Sequence, residues 1–142
     1  MKIFLDTSSL IKLYHSEIGT DLLDKISEDF VINEIFLSDI AKVEFSSAIW
    51  KKVRTKDLTP NEASDIIISF NEDFSNYTFI ELDEELISTA INLVNKYGIK
   101  GLRTLDSFQL ASIIRVKSEL SYAITADDLL KSLIESEGIE TK

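Results

Sequence analysis

An α/β fold built on a mainly parallel sheet is what the sequence predicts, on three observations. Strand-length apolar runs alternate with amphipathic helical stretches, with no repeat, low-complexity tract or long linker between them. The opening run Ile3-Phe4-Leu5 is apolar at consecutive positions, the pattern of a strand covered on both faces. That run and the last one, Tyr122-Ala123-Ile124, lead into the acids Asp6 and Asp127, at the strand end where open α/β sheets receive their ligands.

With 142 residues, 44% of them hydrophobic, the chain is long enough for one domain with a sizeable core, and residues 1–142 read as a single unit. Cysteine is absent, which excludes disulfides and thiolate metal sites and fits a reducing cytoplasmic setting. Three apolar residues after Lys2 are too few for a signal-peptide core and no run approaches a membrane span, so a soluble cytoplasmic protein with no membrane partner is expected. The formal charge of −10 argues against a nucleic-acid binder held by a broad basic surface; any polyanion must be held locally.

Taken in order, Ser9 to Glu17 reads as a short helix or turn, and Thr20 to Glu28 as a helix with Leu22, Leu23 and Ile26 on one side. His15, between them, has no partner readable in the sequence and is assigned to the surface or a hinge. Ile35-Phe36-Leu37 is a second strand, followed by Ser38 as an N-cap and Asp39 in the first turn of a helix. From Ile40 to Lys52 this helix repeats Ile40, Ala41, Val43, Phe45, Ala48 and Ile49 at helical spacing. Lys51, Lys52, Arg54 and Lys56 close it, where cations complement the helix dipole.

Thr59-Pro60-Asn61-Glu62 combines a capping box with proline at the first helical position, starting a helix to about Phe74 with Ala63, Ile66, Ile67 and Phe70 inward. Tyr77 to Leu82 reads as a strand. Asp83 then caps a helix to Tyr97, with Ile87, Ala90, Ile91 and Val94 inward and Gly98 as its stop. Thr104 caps a helix that turns Leu110, Ile113 and Ile114 inward. Ser121 to Thr125 is the final strand, before a helix from Leu129 to Ser136.

Four acids stand out against this scaffold. Asp6 and Asp127 share one geometry, just past a buried strand. Glu44 lies four residues from both Ile40 and Ala48, inside the apolar stripe, where a carboxylate is costly unless paired, coordinated or opening into a cleft. Asp106 sits in the first turn of its helix, in line with Leu110, a position the helix dipole alone also favours. Asp128 is a helix-start acid that can join the group.

In their order and spacing, Phe4-Leu5-Asp6-Thr7-Ser8, Glu44, Leu105-Asp106-Ser107-Phe108-Gln109-Leu110-Ala111 and Ile124-Thr125-Ala126-Asp127 resemble the PIN-domain ribonucleases, especially the VapC-type toxins of toxin-antitoxin pairs. Ser107 departs from the alanine often found there. The resemblance spans Met1 to about Ser136. It implies a three-layer α/β/α fold, an acidic pocket at the strand ends, and hydrolysis of RNA that leaves a 5′-phosphate. It also implies a homodimer silenced by a cognate antitoxin. The chemistry of the residues agrees: crowded carboxylates repel unless a cation neutralises them, and an all-oxygen donor set favours Mg²⁺ or Mn²⁺ over zinc.

In this assignment Asp6 and Asp127 are direct metal ligands, Asp106 a direct or water-mediated one, and Glu44 a ligand or the group that orients the attacking water. Thr7, Ser8 and Thr125 hold carboxylates or the scissile phosphate, or else cap the following turns. Contact with an RNA backbone is the secondary reading of the basic run. Trp50, Phe45, Phe70 and Phe74 offer interface material, with the chain's own core the first place for most of them. A receiver-like signalling domain needs adjacent acids after the first strand and a lysine after the last, where this chain has Asp6-Thr7 and Thr125-Ala126-Asp127. A haloacid-dehalogenase-type phosphatase needs a second aspartate where Ser8 stands. The remaining alternative is a PIN fold that binds protein with little or no nuclease activity.

Overall fold

Side chains alternate between the two faces of a strand, so β1 (Lys2–Leu5), with Ile3, Phe4 and Leu5 all apolar, needs cover on both sides. The computed structural model, which describes residues 1–16, 28 and 31–142, supplies it. β2 (Glu34–Ser38), β3 (Thr78–Ile80) and β4 (Tyr122–Ile124) join β1 in one sheet of order β3-β2-β1-β4. Every pairing is parallel; Phe4 stands opposite Phe36 on one side and Ala123 on the other.

Three helices cover each face among the described residues. Ile3, Leu5, Leu37 and Ile124 pack under α1 (Thr7–Ile11), α2 (Ala41–Arg54) and α3 (Pro60–Glu72), through Leu10, Phe45, Ile49 and Phe70. Phe4, Phe36, Ile80 and Ala123 pack under α4 (Glu84–Tyr97), α5 (Thr104–Arg115) and α6 (Asp128–Ser136), through Leu86, Leu110, Ile113 and Leu133. The predicted three-layer α/β/α architecture is the one observed, with a wholly parallel sheet. Phe45 and Phe70 lie with ring centres 4.2 Å apart, and Tyr14 meets both edge-on at 5.4 and 5.6 Å, locking α2 and α3 to the segment after α1. Phe45 is wholly buried beside Glu44, so this lock also sets the height of that carboxylate above the sheet.

Several boundaries differ from the expectations. Ser38 ends β2 and accepts from the Ile40 amide (3.3 Å), and α2 begins at Ala41 with Ile40 at the cap, so Ser38 closes a turn instead of capping the helix. Arg103, not Thr104, stands at the start of α5, and the Thr104 carbonyl takes a bond from Ser107 Oγ (2.6 Å). Val43 is 68% exposed, outside the buried stripe of Ala41, Phe45 and Ile49. In α4 the buried stripe is Leu86, Ala90, Leu93 and Tyr97; Ile87 and Ile91 are exposed and Val94 half-buried. Two stripes coexist on that helix at helical spacing, and the one with the longer run of large side chains faces the core. The left-handed residue after α4 is Gly101 (φ 101°), reached through a short turn, while Gly98 is still helical. The helix expected over Thr20 to Glu28 lies outside the described residues but for its last residue. His15, in the turn after α1, is half-buried.

At the free edge of β4 the chain returns: the Ala123 amide donates to the Glu140 carbonyl (2.9 Å) and the Lys142 amide to the Ala123 carbonyl (3.1 Å). Among the described residues no helix is long and apolar enough to cross a membrane.

Candidate active site at the carboxyl edge of the sheet

The connections leaving β1 and β4 run to opposite faces of the sheet, one into α1 and the other into α6, so a crevice opens between their carboxyl ends. Asp6 lies at its base. It is the N-cap of α1, accepting from the Ser9 amide at Oδ1 (2.9 Å). Ser8 Oγ donates to Oδ1 and Oδ2 (2.7 and 2.9 Å), and Thr125 Oγ1, brought across from β4, makes a short bond to Oδ2. Asp6 is only 5% exposed, and burial pushes its carboxyl above the ordinary range; the hydrogen bonds from Thr125, Ser8 and Ser9 pull the other way.

Thr125 joins the two strand-end acids, since its Oγ1 also accepts from the Asp127 amide (3.0 Å). Asp127 caps α6 through Oδ1, which accepts from the Leu130 amide (2.6 Å). Asp127 as a whole is exposed. Ser8 Oγ in turn accepts from the Ala126 amide (3.3 Å), a second stitch between the β1 and β4 ends.

Glu44, in the first turn of α2, is half-buried, and both bonds it accepts go to Oε1: from Thr7 Oγ1 at 2.9 Å and Gln109 Nε2 at 2.8 Å. Burial raises its pKa, opposed by those two donors and reinforced by the charges of Asp106 and Asp6. Asp106, half-buried on the first turn of α5, is raised by burial, then by the charges of Asp127 and Asp6; Arg103 opposes them. The charges of Asp106 and Asp6 therefore both reach Glu44, and those of Asp127 and Asp6 both reach Asp106. Thr7, Ser8 and Thr125 all lie within this group, each bonded to one of its carboxylates. Asp128 does not share their bonds: it is the exposed first residue of α6, a helix-start acid.

Gln109 was not singled out by the sequence, yet it ties the site together. It is 2% exposed, and its Nε2 donates to Thr7 Oγ1 (3.0 Å) as well as to Glu44. Its Oε1 is buried and finds no hydrogen-bond partner among the described residues. One signal was available: Gln109 lies three residues after Asp106, on the same helix face, as the polar interruption of the apolar run Phe108-Leu110-Ala111.

The donor set is all oxygen, and repulsion among the carboxylates is the kind a divalent cation relieves. Among the described residues no three acidic or histidine side chains stand close enough to cage an ion by themselves.

No match to a curated protein is found at a significant level. Among solved structures, the Mycobacterium tuberculosis toxin VapC20, described as cleaving the sarcin-ricin loop, superposes with a TM-score of 0.71 at 12% identity, covering 97% of this chain and 96% of its own. VapBC-1 from nontypeable Haemophilus influenzae gives 0.66 at 12%, covering 100% and 97%. FitAcB from Neisseria gonorrhoeae gives 0.66 at 12%, covering 98% and 95%. At such identities these likenesses speak for the fold. The PIN domain family model matches the sequence itself over residues 3–134, nearly its whole length, and the chain belongs to the PIN domain family.

Proposed function

We propose that this protein is a ribonuclease dependent on Mg²⁺ or Mn²⁺, acting as the toxin of a toxin-antitoxin pair. The observation that carries the reading is electrostatic: in a PIN fold, Glu44 on α2 and Asp106 on α5 have their proton affinity raised by burial and then by neighbouring acids, Asp106 and Asp6 acting on Glu44, and Asp127 and Asp6 on Asp106. A bound divalent cation supplies Lewis acidity toward water and toward the phosphoryl oxygens. Asp6, held by Ser8, Ser9 and Thr125, and Asp127, with one oxygen bonded to the Leu130 amide of α6, would hold it, and Asp106 would complete the set directly or through water. Glu44, restrained at Oε1 by Thr7 and Gln109, keeps Oε2 to orient the attacking water and take its proton. Hydrolysis with the 3′ oxygen leaving gives a 5′-phosphate.

A structural neighbour from Klebsiella pneumoniae, described as a toxin-antitoxin complex, supports a cognate antitoxin as partner. Exposed Ile87 and Ile91 on α4 and Leu105 on α5 give apolar material for self-pairing. The test is divalent titration of the purified chain. Wild type degrades an RNA pool with Mg²⁺ or Mn²⁺ and stops with chelator, while Asp6→Asn stays folded and inert. A wild type that leaves every RNA pool intact, free of any partner, overturns the nuclease reading in favour of a protein-binding module.

A further inference from the structure

The molecule carries ten more acidic than basic charges, and its catalytic crevice is lined with carboxylates. An RNA strand reaching that crevice meets repulsion everywhere except where cations are gathered. Among the described residues, three lysines meet in a groove that opens beside it, of about 400 Å³, within the size range of ligand sites. Lys12 from the end of α1 and Lys51 and Lys52 from the last turns of α2 line this groove. Asp57, the one acid in its lining, accepts from Thr55 Oγ1 (2.9 Å).

The helix dipole accounts for Lys51 and Lys52 at the end of α2. It gives no reason for them to line the same groove as Lys12 from another element, or for that groove to include Ser8 and Ala126. Ser8 and Ala126 also line it, and these two residues are bonded to each other and, through Ser8 Oγ, to Asp6. The groove thus lies between α1 and α2 and adjoins the proposed site through Ser8, whose hydroxyl is bonded to Asp6. Its outer wall is held in shape: the Asp57 and Leu58 amides fold back onto the Lys52 carbonyl (2.8 and 3.2 Å), through Lys56 in the left-handed conformation (φ 64°).

We propose that this groove binds the backbone phosphates of the RNA strand next to the cut, so that Lys51, Lys52 and Lys12 hold the substrate while the carboxylates act on it. The inference rests on the ribonuclease reading for its ligand, and its test is kept independent of cleavage. The intact chain, in chelator so that nothing is cut, is titrated with a fluorescent single-stranded RNA of about a dozen nucleotides over a range of salt. Each phosphate contact contributes about 0.7 to the slope of log affinity against log salt for a single strand. The paired substitution Lys51→Ala with Lys52→Ala is expected to flatten that slope by about 1.4, and Lys51→Arg to keep it. Lys96→Ala, which removes one charge, from an α4 lysine bridged to Glu137, is expected to leave it unchanged. A slope equally reduced by Lys96→Ala, or unmoved by the paired substitution, overturns the proposal. So does polyglutamate of matched charge displacing the RNA at equal concentration, which would make the groove a seat for acidic polypeptide. Failure of the ribonuclease reading appears separately, as RNA bound with this slope but never cut in Mg²⁺ or Mn²⁺.

Discussion

Gln109 does for Glu44 what Ser8 and Thr125 do for Asp6: it fixes a carboxylate by donating to it from a buried position. A bond to a charged group is worth about 1.5–3 kcal/mol, so Gln109→Leu is expected to lower kcat roughly 10- to 100-fold. Steady-state kinetics on a fixed RNA would show it, with KM moving far less. The acids make a second case. A carboxyl raised in the folded state favours folding below its unfolded value, and that advantage is lost as pH rises through the folded value. Asp106, Glu44 and Asp6 are all raised, so the metal-free protein should gain thermal stability as pH falls from neutrality toward the ordinary carboxyl range. Asp106→Asn should raise Tm at neutral pH by a few degrees in chelator and flatten this part of the pH profile. A melting series from pH 7 to about pH 5 decides it. Asp6 and Asp127 were legible in the sequence because a strand end displays its acid whatever the rest of the fold does. Gln109 was not, since a polar residue in an amphipathic helix looks the same whether it meets water or a carboxylate.

Whole elements were more legible than their ends. The capping box at Thr59 and Glu62 was readable because both halves lie within four residues, and the structure has both bonds, 3.2 and 3.0 Å. Ser38 and Thr104 carry the right side chains for caps but not the role. The chain becomes helical where packing turns it, after Ile40 and after Arg103, and capping preference of about 1 kcal/mol does not override that. The end of α2 gives an element-scale prediction. Lys56 holds a left-handed conformation that costs a residue with a Cβ about 1–2 kcal/mol, while glycine gives back about 0.5–1 in chain entropy. Lys56→Gly should therefore stabilise by roughly 0.5–1 kcal/mol, measured by denaturant unfolding with an unchanged m value.

At the scale of the molecule, alternation of strands and helices led to a parallel sheet with two covered faces, because the connections between parallel strands must cross a face and bury one. Which stripe of α4 turned inward was not legible, since both were apolar and only the neighbouring α5 and sheet choose between them. The C-terminal residues contribute to the whole in a further way. By running alongside β4 they screen its outer rim, where unpaired peptide groups would otherwise wait for another chain. A protein shortened to end at Gly138 should keep its fold but stick to copies of itself through that uncovered rim, visible as rising light scatter with concentration. Tags placed after Lys142 face the same geometry. A bulky one that peels the last few residues away would convert a discrete particle into a template for stacking, whereas a tag before Met1 leaves the β4 rim shielded.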